Sequence, residues 1–230
     1  PEYSEGYYNM GNALKDQGNL EEAVIAYKKA ISFNSDYPAA FYNMGRALKN
    51  QDKFEEAVKA YKRAIVLKPD YVEAHNNLGN VFREQGSYKE AINAYKEAIA
   101  IKQGYSKAYK NMANAFGEQG KLDEAIGSFE KALSIEPNYA EVHRQLSSLI
   151  KYKPNNPQVE LVSQLLEKPE LEDADRCHLN YAFAKMNEDL GNLGGAFENY
   201  VAGGAIRRKL MVYDQKQDEL LFKKIKTALP

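Results

Sequence analysis

The sequence predicts an all-α fold in which antiparallel helix pairs repeat along the chain and stack as a solenoid. Three observations predict it. Apolar side chains recur at the i, i+3, i+4, i+7 spacing of an amphipathic helix. A glycine or Asp52 separates the two helical stretches of each repeat, where a left-handed C-terminal cap is expected. Four segments align without gaps at a spacing of 34 residues: 4–37, 38–71, 72–105 and 106–139.

Composition limits the function classes that remain. The 31 basic and 32 acidic side chains leave a net charge of -1, which gives no electrostatic footprint for nucleic acid or an anionic membrane surface. No long apolar run is present, so we expect no membrane span, and the balanced charge predicts neither a nucleic-acid nor a membrane partner. Cys177 is the only cysteine, which excludes an intrachain disulfide and a cysteine-based metal site. Cysteine usage therefore predicts a cytoplasmic location.

Each repeat carries the same kinds of side chain at the same places. The first helix has a large residue, an aliphatic residue and then a small one, as in Tyr7, Met10 and Gly11. The second helix has Ala, an aromatic residue and Ala again, as in Ala23 and Tyr27. We expect Gly11 and Ala23 to let the two helices approach closely. One repeat alone buries too little apolar surface to fold, so neighbouring repeats must complete each core.

The connections are also regular. Ser87 and Glu90 have the spacing of a capping box and are expected to open a second helix. Asp52 takes the place of the connecting glycine in the second repeat, where a left-handed conformation costs more than it does for glycine.

These residues resemble the tetratricopeptide repeat pattern, and the resemblance covers residues 4–139. It implies a right-handed superhelix of helix pairs whose first helices line a concave groove. Members of this family hold polypeptides in that groove. The resemblance therefore implies a non-catalytic module whose partner is a peptide or a protein.

Beyond residue 139 the repeat becomes irregular. A degenerate helix pair is expected over 140–176, with a first helix running to about residue 152 and a second beginning at Pro157. A final repeat over 177–210 aligns on Gly191, and a closing helix is expected over 211–230. Close helix packing, or alternatively a local hinge, would explain the glycines of the final repeat: Gly194, Gly195, Gly203 and Gly204.

This irregular part carries a second resemblance. The letters RQLSS at 144–148, DRCHL at 175–179 and RRKL at 207–210 resemble the region that joins repeats to the catalytic domain in bacterial tetratricopeptide–sulfotransferase proteins. The resemblance implies that the chain is the substrate-docking part of a larger sulfotransferase. The phosphosulfate-binding loop of that family is not found in these residues, so we assign them no sulfuryl transfer.

The sequence predicts no catalytic residue, no metal site and no cofactor. His75 and His143 fall at the large-residue place of the first helix and are expected to be packed, hydrogen-bonded rings. His178 follows Cys177 directly, and adjacent helix residues diverge by about 100°, so the two cannot chelate one ion. The recurring glutamates, such as Glu22, stand where a second helix begins and suit its dipole.

Asparagine recurs on the first helices at places off the apolar stripe. Asn is a mediocre helix former, so helix propensity does not explain its recurrence. Its amide can donate to and accept from an extended peptide backbone. The structural alternative is that the amides bridge neighbouring repeats, which we consider above all for the second row. The first row is Asn9, Asn43, Asn77 and Asn111, and the second row is Asn12, Arg46, Asn80 and Asn114. Candidate flanking residues are Tyr8, Tyr42, Lys107 and Lys110.

Two further resemblances bear on the ligand. The first row resembles the asparagine ladder that holds substrate polypeptide in the glycosyltransferase that modifies Ser and Thr with N-acetylglucosamine. Chaperone-binding members use a carboxylate clamp instead, and Lys110 and Asn114 fit its first two places, but Gln145 replaces the next Asn. A chaperone C-terminus is therefore not the favoured ligand.

Three hypotheses follow from the sequence. The first is a peptide- or protein-binding module that acts through the asparagine rows. The second is the docking region of a sulfotransferase, and the third is a scaffold that assembles through the end faces of the solenoid. We expect a monomer or weak self-association.

Overall fold

The computed structural model describes residues 2–211, and these residues form twelve α-helices without a strand. The predicted all-α fold is confirmed for this part of the chain. The closing helix predicted over 211–230 lies outside the described residues, apart from Met211. The helices are α1 (Glu2–Asp16), α2 (Leu20–Phe33), α3 (Pro38–Lys49), α4 (Phe54–Leu67), α5 (Val72–Glu84), α6 (Tyr88–Ile101), α7 (Ser106–Glu118), α8 (Leu122–Ile135), α9 (Ala140–Ser147), α10 (Pro157–Leu166), α11 (Asp173–Asp189) and α12 (Leu193–Leu210).

The chain divides into two compact units, which we call unit 1 (Pro1–Pro137) and unit 2 (Asn138–Pro230). Unit 1 contains four helix pairs, in which α1 packs on α2, α3 on α4, α5 on α6 and α7 on α8. Each second helix also packs on the first helix of the next pair. The first helices α1, α3, α5 and α7 contact one another in sequence, so they form one continuous layer. We call the surface of this layer the inner face.

A glycine in the first helix receives a tyrosine ring from the second helix. A Cβ atom built on Gly45 would lie 2.8 Å from a ring carbon of Tyr61, and the corresponding distances are 2.6 Å for Gly11–Tyr27 and 2.5 Å for Gly79–Tyr95. All three rings are fully buried. The Tyr27 ring thus occupies the space that the missing side chain of Gly11 leaves between α1 and α2. A methyl group at this place would occupy the space of the ring.

The turns inside the repeats have the predicted left-handed conformation. Gly18, Gly86 and Gly120 have φ of 83°, 73° and 73°, and Asp52 has φ of 57°. The capping box predicted at Ser87 is not formed, because the Ser87 side chain makes no capping hydrogen bond. Ser87 has ψ of 64°, short of the extended backbone from which a side chain usually caps. Its backbone carbonyl still accepts the Ala91 N–H at 3.0 Å.

Unit 2 departs from the regular repeat where its first helix ends. Helix α9 stops at Ser147, whereas the sequence predicted a helix to about residue 152. The chain turns there because Tyr152 packs into the core of the unit with Val162 and Leu179. The Tyr152 hydroxyl donates to Oε1 of Gln158 at 3.0 Å, so the buried ring is also satisfied as a polar group.

The glycines of α12 have different surroundings. A Cβ atom on Gly203 would lie 3.3 Å from the side chains of Asn180 and Tyr181, so close packing between α11 and α12 explains this glycine. A Cβ atom on Gly194 would meet nothing within 4 Å, so the packing explanation does not extend to it. Gly195 donates its N–H to the capping Asn192 at 3.2 Å.

Candidate functional site

The inner face of unit 1 carries the two asparagine rows, and the structure brings most of their side chains together. Nδ2 of Asn43 on α3 donates to the Tyr8 hydroxyl at 3.0 Å and to Oδ1 of Asn12 at 3.0 Å, both on α1. Asn43 is the most buried of the four first-row residues, with 8% of its surface exposed. Its amide hydrogens therefore join two consecutive helix pairs.

The same arrangement recurs at the next junction. Nδ2 of Asn77 on α5 donates to the Tyr42 hydroxyl on α3 at 3.0 Å, and Asn80 donates to Oδ1 of Asn77 at 3.3 Å. The Arg46 guanidinium lies over the Tyr42 ring, 5.9 Å from its centroid. A cation in this position is attracted to the face of the ring.

At the third junction the acceptor changes from tyrosine to asparagine. Nδ2 of Asn111 on α7 donates to Oδ1 of Asn76 on α5 at 3.0 Å. Asn76 was not among the predicted site residues, although it occupies the repeat place of Tyr8 and Tyr42. In all three junctions the donor lies 35 residues after its acceptor, one repeat plus one residue. The recurrence of both residue types every 34 residues is visible in the sequence, but the contact between them is not.

The second row bonds mainly to the aromatic residue of the second helix. The Tyr27 hydroxyl donates to Oδ1 of Asn12 at 2.9 Å, and the Tyr95 hydroxyl donates to Oδ1 of Asn80 at 2.8 Å. In the second repeat Arg46 stands at this place, and the buried Tyr61 hydroxyl has no partner among the described residues. From the sequence, we considered bridging of neighbouring repeats above all for the second row. Within the two rows, the hydrogen bonds between repeats are instead donated by the first row.

Three of the predicted site residues stay apart from this network. Within residues 2–211, Asn9, Asn114 and Lys107 take part in no described side-chain hydrogen bond. Asn9 and Lys107 are exposed, and Asn114 is half-buried. The fourth repeat has Phe129 where the others have tyrosine, so no ring hydroxyl is available to Asn114.

Burial extends to higher pH the range over which the buried ring hydroxyls stay neutral. Burial raises the pKa of Tyr27, Tyr61 and Tyr95 well above the usual tyrosine range. Burial also raises the pKa of Tyr71, whose ring lies 4.8 Å from that of Tyr42, to about 12. At neutral pH the network therefore consists of uncharged hydrogen bonds, apart from the Arg46 cation.

The histidines and the cysteine have structural partners. Nε2 of His75 lies 3.0 Å from the Pro69 carbonyl oxygen, and Nδ1 of the fully buried His143 lies 2.8 Å from Nε2 of Gln158. The buried Cys177 thiol donates to the Gly203 carbonyl at 3.4 Å. In the part of the chain that the structure describes, no three His, Cys, Asp or Glu side chains are grouped so as to hold a metal ion.

None of the helices within residues 2–211 is both long enough and apolar enough to span a bilayer.

Family models match more than half of the chain. Models of the tetratricopeptide repeat match residues 42–106 and 106–139, and a TPR repeat model matches residues 11–52. No curated protein matches the chain by sequence.

Solved structures share the fold at low sequence identity. A structure of PilF from Pseudomonas aeruginosa superposes with a TM-score of 0.67 at 20% identity, covering 96% of this chain and 98% of PilF. MamA from Desulfovibrio magneticus gives a TM-score of 0.62 at 22% identity, covering 73% of this chain and 95% of that one. YrrB, a TPR protein with an unusual peptide-binding site, superposes with a TM-score of 0.54 at 22% identity, covering 71% of this chain and 86% of YrrB. At this identity the similarity shows the fold alone.

Proposed function

Because the chain belongs to the tetratricopeptide repeat proteins, we propose that unit 1 binds an extended polypeptide along its inner face. The observation that carries the proposal is the recurrence of one polar arrangement at successive junctions, Asn43 with Tyr8 and Asn77 with Tyr42. A ligand with a repeating backbone matches a surface with repeating polar groups. YrrB, which shares the fold, is a TPR protein with a peptide-binding site.

The network leaves both kinds of polar group for a ligand. Within the described residues, Oδ1 of Asn43 and of Asn111 accept no hydrogen bond, and the hydroxyls of Tyr8 and Tyr42 accept one bond each but donate none. An extended peptide backbone presents N–H groups to such oxygens and C=O groups to such hydroxyls. The surface would therefore recognise the backbone in preference to particular side chains.

The expected affinity is modest. Four hydrogen bonds at about 1 kcal/mol each give roughly 4 kcal/mol. Ordering the peptide costs about 2–5 kcal/mol, so the side chains of the ligand must contribute the rest. Exposed cations on the inner face, Arg46 and Lys107, can attract acidic side chains. We therefore expect micromolar or weaker binding with a preference for peptides that carry Asp or Glu.

The test uses residues whose removal leaves the inter-repeat bonds intact. Random phage-displayed peptides are selected on the full chain, and the best binder is titrated against a double variant, Arg46→Ala with Asn114→Ala. The matched control is Lys59→Ala with Asn93→Ala, which changes exposed residues of the second helices α4 and α6. We expect the first variant to weaken binding at least about tenfold. The inner-face site would be refuted if both double variants lost the same peptide affinity, or if neither lost any.

A second candidate function is self-association, which the end of unit 1 favours. Met10 on α1 is 53% exposed, whereas its repeat equivalents Leu78 and Met112 are 7% and 8% exposed. Ala13 is exposed too, whereas its equivalents Ala47, Val81 and Ala115 are fully buried under the preceding repeat. Among the described residues, the outer side of α1 therefore presents an apolar surface of the kind that other repeats bury. A second copy of the chain could supply apolar cover.

Sedimentation over a range of concentrations tests this candidate. We expect weak association that is lost in Ala13→Glu and kept in Ile25→Glu, which alters an exposed residue of α2 whose repeat equivalents are exposed as well. A single monomer mass at every concentration would exclude the scaffold function.

Two narrower hypotheses stay predictions. One is that the chain is the docking region of a sulfotransferase, which requires a phosphosulfate-binding loop encoded downstream of Pro230. Sequencing the gene beyond that codon tests it. The other is a cytoplasmic location, which fractionation of the source cells tests.

A further inference from the structure

Unit 2 contains a cavity of about 350 Å³ that the proposed function does not use. It lies among α9, α11 and α12, and its volume is large enough for a side chain together with the backbone next to it. The lining residues that matter here are Arg144, Gln145, Tyr181, Lys185 and Arg207.

The described residues that line the cavity include the cations Arg144, Lys185 and Arg207 and no carboxylate. The Arg144 guanidinium lies over the Tyr181 ring, 5.5 Å from its centroid, and its Nη1 is 3.4 Å from Nδ1 of His178. Within residues 2–211 neither Arg144 nor Arg207 has a carboxylate partner, whereas Lys185 pairs with Asp189. Two exposed guanidinium groups at one cavity are therefore not paired with a carboxylate of residues 2–211.

Gln145, one of the residues that line the cavity, has an unsatisfied amide oxygen. Oε1 of Gln145 is buried, and no donor reaches it within the described residues. A buried amide oxygen without a partner costs free energy in the absence of a ligand. A ligand that donates an N–H to this oxygen would remove that cost.

Together these features specify the ligand chemistry. Two unpaired guanidinium groups match a doubly charged oxyanion better than a singly charged carboxylate, and guanidinium binds phosphoryl oxygens in a forked geometry. A phosphorylated side chain carries a charge of about -1.5 to -2 at neutral pH. The unpaired Gln145 oxygen calls for a donor on the same ligand, such as a backbone N–H.

We propose that the cavity among α9, α11 and α12 binds the phosphoryl group of a phosphoserine or phosphothreonine in a polypeptide. Arg144 and Arg207 hold the phosphoryl oxygens, and Gln145 accepts a backbone N–H of the ligand. Stacking on Tyr181 keeps the Arg144 guanidinium in the cavity wall. The site lies in unit 2, so it is separate from the inner face of unit 1 and does not rest on peptide binding there.

The experiment titrates the full chain by calorimetry with N-acetyl-phosphoserine N-methylamide. Inorganic phosphate and the N-acetyl-aspartate analogue are the comparison probes. We expect saturable binding of the phosphoserine analogue, weaker binding of inorganic phosphate and the weakest binding of the aspartate analogue. Aspartate binding as tight as phosphoserine would overturn the phosphoryl assignment. Phosphate binding as tight as the analogue would overturn the polypeptide part of the proposal.

Variants separate the roles of the residues. Arg144→Gln and Arg207→Gln should each weaken binding of the phosphoserine analogue about tenfold, the loss expected for one charge-assisted hydrogen bond. Arg208→Gln is the matched control, because Arg208 is exposed like its neighbour Arg207 but does not line the cavity. Gln145→Met should weaken the analogue but leave inorganic phosphate unchanged. Absence of saturable binding, or an equal loss in Arg208→Gln, would refute the site.

Discussion

The Nδ2 group of Asn43 donates to the Tyr8 hydroxyl at 3.0 Å, across the junction between the first and second helix pairs. The same side chain belongs to the surface on which we propose that a polypeptide binds. One amide can serve both purposes because its nitrogen and its oxygen are separate groups: the nitrogen joins the repeats, and the oxygen remains for a ligand. On our proposal, cohesion between repeats and recognition of a peptide are therefore coupled on this face.

Removing a bridging amide should destabilise unit 1. Asn77→Ala deletes the bond to Tyr42 and leaves Asn80 without its acceptor, so we expect a loss of about 1–3 kcal/mol in the free energy of unfolding. Urea unfolding followed by circular dichroism measures the change. Asn9→Ala is the control, since Asn9 is exposed and outside the network, and it should change stability by less than about 0.5 kcal/mol. Equal effects would contradict a structural role for the first row.

The two buried tyrosines Tyr61 and Tyr95 should respond in opposite directions to loss of their hydroxyls. Tyr61→Phe removes a buried hydroxyl without a partner and should stabilise the chain by about 1 kcal/mol. Tyr95→Phe removes the bond to Asn80 and should destabilise it by about 1 kcal/mol. Thermal and urea unfolding of both variants checks the signs. Destabilisation by Tyr61→Phe would mean that its hydroxyl does have a partner.

The glycine that faces a buried tyrosine ring should not tolerate a methyl group. In Gly45→Ala the new Cβ would lie 2.8 Å from the Tyr61 ring, so we expect destabilisation of about 1–3 kcal/mol. Gly127→Ala places a methyl in open space within α8 and should stabilise the chain by about 0.5–1 kcal/mol. The difference between the two unfolding free energies isolates the packing effect, and a stabilising Gly45→Ala would disprove it.

Stability should fall at alkaline pH. Burial raises the pKa of Tyr27, Tyr61 and Tyr95 in the folded chain, whereas in the unfolded chain these phenols titrate near 10. Their contribution is complete below pH 10 and is lost as the pH rises from there toward the folded-state pKa, because the unfolded state releases protons first. The part of the tyrosinate absorbance that comes from these buried residues should therefore appear only as the helical circular dichroism signal is lost. Full ionisation with the helices intact would contradict the burial effect.

The helix pairs of unit 1 were predictable because local chemistry and tertiary packing agree there. Gly18 and Gly86 end the first helices in the left-handed conformation that glycine adopts without strain, so the sequence marks the turn directly. The helical spacing of the apolar residues then determines which faces pack between one helix pair and the next. Ser87 shows the limit of the local pattern, since residue type and spacing predicted a side-chain cap that its backbone angles do not support.

The polar network was less predictable because its partners lie in different repeats. Asn43 and Tyr8 are 35 residues apart, and their contact depends on how one repeat is offset from the next. The sequence also does not show that Asn12 and Asn80 accept hydrogen bonds from the ring hydroxyls of Tyr27 and Tyr95. It therefore could not predict that Arg46, at the equivalent place, leaves the Tyr61 hydroxyl without a partner among the described residues. In unit 2, the early end of α9 follows from the burial of Tyr152, a tertiary effect that helical periodicity does not contain.

Site-specific photocrosslinking tests most directly the central claim that a polypeptide lies along the inner face. Benzoylphenylalanine replaces Asn9 or Lys107, two exposed residues of the first helices, or Ile25 or Asn93, two exposed residues of the second helices. The chain is irradiated with a peptide selected for binding, and the adducts are identified by mass spectrometry. If the polypeptide lies along the inner face, adducts form at the positions of Asn9 and Lys107 and none form at those of Ile25 and Asn93. Adducts only from the second-helix positions would contradict it.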